Sequence, residues 1–333
     1  MLDDKVILIT GGTGSFGNSF AKYVLDHYKP EKLIIFSRDE LKQYEMQQLF
    51  NEDRYPQIRY FIGDVRDRDR LYRAFDGVDI VIHTAALKQI AIAEYNPLEV
   101  IKTNILGAAN VIDAAIDRGV QKVVALSSDK AANPINLYGA TKLCADKLFL
   151  AANSYSGKHN TRFCVVRYGN IVGSRGSVIP LLLKMRSKGV LPITEPRMTR
   201  FWITLDQGIQ FVLKSLERMQ GGEVFVPKIP SMNLMDLAKA IDPACQTEFI
   251  GIRPGEKLHE VLVPKDEARH TLEYDDYFTI LPAFRSWETQ TYAKKNGGKF
   301  CSENFCYSSD TNPSRLTIEE LKKIVQSLES GKS

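Results

Sequence analysis

Cysteine is scarce in this chain. The five residues (Cys144, Cys164, Cys245, Cys301, Cys306) are odd in number and lack the spacing of a zinc site. Cys301 and Cys306 lie close enough in sequence to pair or share a metal, but free thiols in a reducing cytosol are expected, with no metal site. No stretch approaches the roughly 20 apolar residues of a membrane span. No signal-peptide pattern precedes the first strand. A formal charge of +4, evenly spread, is too small to argue for nucleic acid and leaves the cations free for local work on phosphates. Repeats are absent, and low complexity is confined to a loose tail from Lys294 to Ser309. A soluble cytoplasmic protein with a small-molecule partner is expected.

What the chain does have is core-forming sequence in ordinary proportion, 44% apolar and 25% charged over 333 residues, enough for one large domain or two ordinary ones. It begins with Lys5-Val-Ile-Leu-Ile-Thr10 running into Gly11-Gly-Thr13-Gly14-Ser15-Phe16-Gly17. An apolar strand handing the chain through glycines to a helix near Phe16 is the pattern that receives a pyrophosphate on helix N-terminal amides. Gly12 and Gly14 would allow the tight turn, and Gly17 would let the helix pack against the strand. A glycine pattern alone fits any strand-to-helix turn; its place before amphipathic Phe20–Leu25 favours a dinucleotide site.

Strand-like runs follow at Lys32–Phe36, Ile58–Ile62, Asp79–His83, Lys122–Leu126 and Arg162–Arg167, with helix candidates at Asp39–Phe50, Asp69–Phe75, Pro97–Arg118 and Leu137–Ser154. This alternation predicts an α/β fold, a Rossmann-like doubly wound parallel sheet. Past Asn170 the rhythm breaks, apart from a helix at Leu205–Met219 and a strand at Glu223–Val226. A dinucleotide domain over 1–170, with a return segment near 203–226, and a smaller mixed α/β lobe over 171–202 and 227–333 are expected.

Ligands in such sheets sit at the carboxyl ends of the strands. After the second strand stand Ser37, Arg38, Asp39 and Lys42. A hydroxyl and two cations suit the 2′-phosphate of NADP, whereas Asp39 keeps NAD open. A capping box with Ser37 as N-cap and Glu40 three residues on is the structural alternative. Asp64 and Val65 are placed for the adenine, and Ala85 and Ala86 for close passage of backbone to a ribose. The fifth strand leads into Leu126-Ser127-Ser128-Asp129-Lys130 and then Tyr138-Gly-Ala-Thr-Lys142. On a helix, Tyr138 and Lys142 share a face, and an ammonium beside a phenol favours the phenolate. With 14 Tyr and 44 Lys plus Arg, about two Tyr-x-x-x-(Lys or Arg) pairs are expected by chance, so position rather than spacing gives this pair weight.

With these residues in register, the chain resembles the extended short-chain dehydrogenase/reductase family nearly end to end. The resemblance implies that Tyr138 and Lys142 are the dehydrogenase pair and that Ser127 or Ser128 polarises the substrate oxygen. Asp129-Lys130, the run Ser128–Tyr138, Met198-Thr-Arg-Phe-Trp202 and Arg253-Pro-Gly-Glu-Lys-Leu-His259 narrow it to the inverting UDP-N-acetylglucosamine 4,6-dehydratases of pseudaminic acid synthesis. Glucose-type 4,6-dehydratases carry Asp-Glu where this chain carries Asp-Lys. The resemblance further places Lys88 near cofactor and substrate, Asn170 and Gly173–Val178 at the nucleotide-sugar wall, and Thr194, Met198, Arg200, Arg253 and Glu256 in the uridine-diphosphate pocket. Arginines suit a pyrophosphate because guanidinium meets phosphate in a bidentate fork. Taken singly, Asp129 could cap a turn, and Lys88, Lys130 and each arginine could be surface residues.

The implied reaction uses self-recycled NADP. Tyr138 takes the 4-hydroxyl proton, a neutral Lys130 takes the hydrogen of carbon 5, and a protonated Asp129 assists loss of the 6-hydroxyl. Lys130 would need its pKa lowered by burial and by cations such as Lys142. The implied product is UDP-2-acetamido-2,6-dideoxy-β-L-arabino-hexos-4-ulose, used in flagellin or surface-glycan modification. The resemblance also suggests a homo-oligomer, dimer or hexamer. Three alternatives are a retaining 4,6-dehydratase, whose larger relatives carry membrane segments ahead of the fold; a UDP-sugar 4-epimerase, which needs no Asp-Lys pair; and a non-catalytic NADP sensor.

Overall fold

The first strand, β1 (Val6–Thr10), is buried along its whole length, as a parallel strand covered on both faces must be. The computed structural model describes residues 1–174, 178–282 and 289–330. After β1 come α1 (Ser15–His27), β2 (Lys32–Ser37), α2 (Glu40–Leu49), β3 (Ile58–Ile62), α3 (Arg68–Ala74) and β4 (Ile80–His83). Two short helices, α4 (Ile90–Tyr95) and α5 (Pro97–Ile101), lead through a π-turn at Lys102–Leu106 into α6 (Gly107–Asp117). Then follow β5 (Lys122–Ser128), α7 (Leu137–Ala152) and β6 (Arg162–Tyr168). The helix expected over Pro97–Arg118 is thus interrupted. At the π-turn the Asn104 side chain binds both Leu87 N (2.8 Å) and Leu87 O (2.9 Å), tying this helix to the chain just after β4.

Beyond β6 the chain makes β7 (Asn170–Ile171), α8 (Val178–Arg186), β8 (Val190–Ile193) and β9 (Thr199–Ile203), and returns through α9 (Leu205–Arg218) to β10 (Val224–Pro227). The remainder includes β11 (Ser231–Asn233), α10 (Leu234–Ile241), β12 (Gln246–Phe249), β13 (Val261–Val263), β14 (Thr271–Glu273), β15 (Tyr277–Ile280), β16 (Lys299–Phe300), β17 (Tyr307–Ser308) and a last helix at Ile318–Glu329.

The main sheet runs β16-β14-β15-β10-β6-β5-β4-β1-β2-β3. The seven strands from β10 to β3 are mutually parallel, and β15, β14 and β16 extend that edge antiparallel. This corrects the expected lobe at 227–333: its stretch 271–300 adds strands to the main sheet. The reversal of strand order between β1 and β4 opens a crevice at the carboxyl ends, where ligands of such sheets bind. A second apolar core gathers Ile179, Leu182, Leu191, Met198, Trp202, Leu237, Leu321 and Val325 over that end of the sheet. No described helix is long and apolar enough to cross a membrane.

Candidate active site

A cleft of about 460 Å³ at the carboxyl ends of the parallel strands is lined by Gly11, Thr13, Gly14, Ser15, Phe16, Gly17, Ser37, Arg38, Lys42, Asp64, Val65, Ala85, Ala86, Lys88, Tyr138 and Lys142. All the residues expected to hold a dinucleotide therefore meet in one place. α1 starts at its floor with Gly14 as N-cap and no side-chain capping hydrogen bond, and a helix N-terminus favours an anion. Gly17 is required there by a close approach. A Cβ would lie 2.2 Å from Gly12 O, so the helix packs on the main chain of its own turn before it meets the strand. This turn fits a pyrophosphate.

At the end of the cleft expected to take the adenine, the alternative of a capping box begun by Ser37 is ruled out. Ser37 remains in β2, which pairs with β3 up to Ser37–Ile62, and its hydroxyl accepts from Thr13 Oγ1 at 3.0 Å. The N-cap of α2 is Asp39, whose two oxygens receive Lys42 N (3.0 Å) and Lys42 Nζ (2.5 Å). Arg38 lies 3.6 Å from Asp64, which also holds Arg66 at 2.7 Å. Burial alone would raise the Asp64 pKa, but the Arg66 hydrogen bonds and the two guanidinium charges bring it below the usual carboxylate range. With Asp39 engaged by Lys42 and half-exposed Arg38 beside it, this corner presents cations.

The catalytic candidates come from β5 and α7. β5 ends in a single 3₁₀ turn, Asp129–Ala131, capped by Ser128. α7 packs directly on that turn, and Gly139 permits it: a Cβ there would sit 2.2 Å from Lys130 O. Asn136 caps α7 through Gly139 N (2.7 Å) and donates to Gly255 O (2.7 Å), tying the Arg253–His259 loop to the catalytic helix. Ser127 and Ser128 part company. Ser127 Oγ turns inward to Asp146 Oδ2 (2.7 Å), whereas Ser128 Oγ donates to Asp129 Oδ1 (2.8 Å) and lies against the Tyr138 hydroxyl. Ser128 is therefore the hydroxyl at the reacting end.

Two electrostatic expectations are corrected. Tyr138 is buried, which pushes its phenol up to about 12, and the groups that pull it back are Lys130 and Ser128. Lys142 instead donates to Leu126 O at 2.6 Å and faces Asp146; its own pKa is lowered, chiefly by burial. A shared helix face brought two Cα atoms together, but a lysine stem reaches several ångströms beyond, and here it reaches the strand. Lys130 was expected to be neutral. Burial pulls its pKa down, yet Asp129 at 2.9 Å and Glu260 at 3.3 Å outweigh that and raise it, with Arg200 opposing. Lys130 Nζ also lies 3.5 Å from Asn170 Oδ1. Asp129 is completely buried, and its second oxygen has no hydrogen-bond partner within the protein.

Of the residues expected to hold a substrate, Asn170 borders Lys130, and Val178 opens α8 against the second core. Arg175, Gly176 and Ser177 of the expected Gly173–Val178 wall lie outside the described residues. Thr194 Oγ1 touches buried Met198 Sδ at 3.0 Å. Arg200 is buried, bonded to Thr199 O (2.8 Å) and Leu258 O (3.1 Å), and 4.0 Å from Glu260. Arg253 is exposed, and one Glu256 oxygen is buried with no hydrogen-bond partner within the protein, an acceptor suited to a ligand hydroxyl.

Sequence reasoning missed Glu260, Lys257 and the trio of buried Asp146 and Arg167 with partly exposed Glu267. Arg167 is 1% exposed, binds Glu267 at 2.6 Å and lies 3.7 Å from Asp146. Glu260 follows directly on the quoted Arg253–His259 run, but nothing in its spacing tied it to a lysine 130 residues earlier. Among the described residues no cluster suits a metal ion, and the five cysteines are free.

Residues 7–282 match the family model described as polysaccharide biosynthesis protein. A Campylobacter jejuni protein named UDP-N-acetylglucosamine 4,6-dehydratase (inverting) is 54% identical over 335 residues, covering 99% of each chain. A UDP-glucose 4-epimerase from Rickettsia conorii is 41% identical over 341 residues, 99% of this chain and 97% of its own. Among solved structures, Pen from Bacillus thuringiensis is 38% identical with a TM-score of 0.88, covering 98% of this chain and 99% of that one. A dTDP-glucose 4,6-dehydratase from Streptomyces venezuelae, solved with NAD, shares the fold at 18% identity and a TM-score of 0.70, covering 98% and 97%.

Proposed function

Because the chain belongs to the polysaccharide biosynthesis protein family, a branch of the extended short-chain dehydrogenase/reductases, we propose that it is an inverting UDP-N-acetylglucosamine 4,6-dehydratase. The observation that carries this reading is the contact of fully buried Asp129 with Lys130 beside Tyr138, which lines the cleft. An epimerase needs a hydroxyl and a tyrosine there; removal of water needs an acid and a base as well.

The glycine turn and the cleft suit a nicotinamide cofactor, and Arg38 with Lys42 favours NADP through the 2′-phosphate. The bound nicotinamide supplies hydride chemistry, removal from sugar carbon 4 and return at carbon 6. Tyr138 accepts the 4-hydroxyl proton and is pulled toward phenolate by Lys130 and Ser128. The elimination then asks for neutral Lys130 and protonated Asp129, opposite to the ion pair observed. The two arrangements differ by one proton moved across a 2.9 Å contact, with no exchange with solvent. In the step itself the carbon 5 proton goes to Lys130, its electron pair forms the double bond between carbons 5 and 6, and the 6-oxygen leaves as water with the Asp129 proton. That regenerates the observed ion pair. Tyr138, protonated earlier, is the candidate donor to the opposite face of carbon 5.

On this reading the product, UDP-2-acetamido-2,6-dideoxy-β-L-arabino-hexos-4-ulose, feeds pseudaminic acid synthesis for flagellin or surface glycans. The enzyme then works in the cytoplasm as a homo-oligomer, dimer or hexamer. Proton NMR of the purified chain with UDP-N-acetylglucosamine in D2O, without added cofactor, tests it. A new 6-methyl signal, deuterium at carbon 5 and L-arabino couplings are expected. Retained D-xylo couplings would replace inversion with retention. A 4-epimer without a methyl signal would move the assignment to epimerase, the activity named for the Rickettsia relative.

A further inference from the structure

Lys130 is held between two carboxylates rather than one. Asp129 precedes it in the chain; Glu260 arrives from the second lobe, just ahead of β13, with Oε1 at 3.3 Å from Lys130 Nζ. Glu260 is 2% exposed and its main chain is pinned on both sides, its N–H donating to Ser309 Oγ and its carbonyl accepting from Ser309 N, each at 2.9 Å. Its other oxygen lies 3.6 Å from Lys257 Nζ, and Lys257 in turn donates to Ala132 O at 2.5 Å. The remaining groups around Lys130 are Arg200 from β9, Lys88 after β4, Tyr138 on α7 and the Asn170 amide oxygen. Among the described residues, Glu260 is thus the one carboxylate besides Asp129 within salt-bridge reach of Lys130.

Once Lys130 takes the carbon 5 proton while Asp129 still holds the proton meant for the leaving water, an ammonium paired with Asp129 alone would stand beside a neutral acid with no counter-ion. A second, fixed carboxylate removes that conflict. We infer that Glu260 is a positioning residue for the elimination, a standing counter-ion that keeps Lys130 aimed into the site and sets how strongly it takes up the carbon 5 proton while Asp129 cycles between acid and carboxylate. Lys257 divides the charge of Glu260 and so tempers it. The inference rests on the dehydratase reading.

The signs follow from charge. The active form shares one proton between Asp129 and Lys130, so the pH–rate curve is a bell bounded by gain and loss of a proton on that pair. A carboxylate nearby raises the pair's hold on protons. Glu260→Gln should move the bell to lower pH by about 1–3 units, the shift an adjacent opposite charge produces. At alkaline pH the yield of 6-methyl product should drop, with KM for UDP-N-acetylglucosamine unchanged and cofactor reduction at carbon 4 retained. Glu260→Asp should recover part of the loss, and Lys257→Met should move the bell upward by leaving the Glu260 charge undivided. An unmoved bell in Glu260→Gln overturns the inference, as does a loss that raises KM and abolishes carbon 4 oxidation together. Should Glu260→Gln not fold, Lys257→Met decides alone, and an unmoved bell there overturns it too. Wild-type protein that makes no 6-methyl product sinks the dehydratase reading and this inference with it; a normal wild type with unmoved variants sinks this inference only.

Discussion

Two clusters of the same residue types, arginine or lysine facing aspartate or glutamate, stand apart in the molecule, one around the cleft residues Arg38 and Asp64 and one beside the cleft residue Tyr138. In the first, Arg38, Lys42, Asp39, Asp64 and Arg66 pair in contact with water, the Arg38 side chain 53% exposed. In the second, Lys130, Asp129, Glu260, Lys257 and Arg200 pair in the interior, Asp129 at 0% and Glu260 at 3%. Exposed pairs are screened and contribute little to stability. Buried ones set protonation states, because removing one member strands the others in a medium of low dielectric. On the proposed dehydratase reading the outer cluster serves recognition and the inner one proton transfer.

The largest effects should come from the inner cluster. Lys130→Met should lower 6-methyl formation by about 10²–10⁴-fold, the range for loss of a positioned acid or base. Oxidation at carbon 4, read as cofactor reduction by absorbance, should survive. Tyr138→Phe should cause a loss of the same order but abolish cofactor reduction as well. If Lys130→Met also abolished reduction, the division of labour between these two residues would fail.

Behind the site, fully buried Arg167 bridges buried Asp146 on α7 to partly exposed Glu267 beyond β13, and the Asp146 it faces also accepts from Ser127. Arg167→Met strands two carboxylates at once. A loss of about 3–5 kcal/mol in urea unfolding is expected, as for a buried pair broken on one side. A change below 1 kcal/mol, the range of exposed pairs, would erase the contrast between the interior and the surface.

The reach of the sequence follows the same division. The placement of Asp129, Lys130 and the glycine turn was legible because each follows directly on a strand end, and that of Tyr138 and Lys142 because they lie in the first turns of the helix after β5. Glu260 and Arg167 were not, because their partners lie 130 and 100 residues away and only packing of the second lobe on the sheet brings them together. The Tyr138–Lys142 coupling was misread for a local reason. Helical spacing fixes Cβ positions, but the Lys142 stem extends to Leu126 O. The alternative of Ser37 as a cap failed because strand β2 runs one residue further than its apolar stretch, leaving Asp39 to cap α2.

The smallest effect belongs to the outer cluster and sharpens the comparison most. Arg38 touches Asp64 at 3.6 Å and is otherwise open to solvent. Arg38→Ala should leave thermal and urea unfolding unchanged, since an exposed pair carries little stability. NADP affinity should nevertheless fall about tenfold, the equivalent of one charge-assisted hydrogen bond to phosphate. NAD affinity should hold, because its ribose offers no phosphate to lose. Added salt should weaken NADP binding in the wild type more than in Arg38→Ala and leave the position of the pH bell unchanged, because screening reaches the exposed cluster and not the buried one. Equal losses for NAD and NADP would place Arg38 away from the adenine ribose and remove the recognition half of the contrast. A bell displaced by salt would remove the other half, since the inner cluster would then be in contact with water.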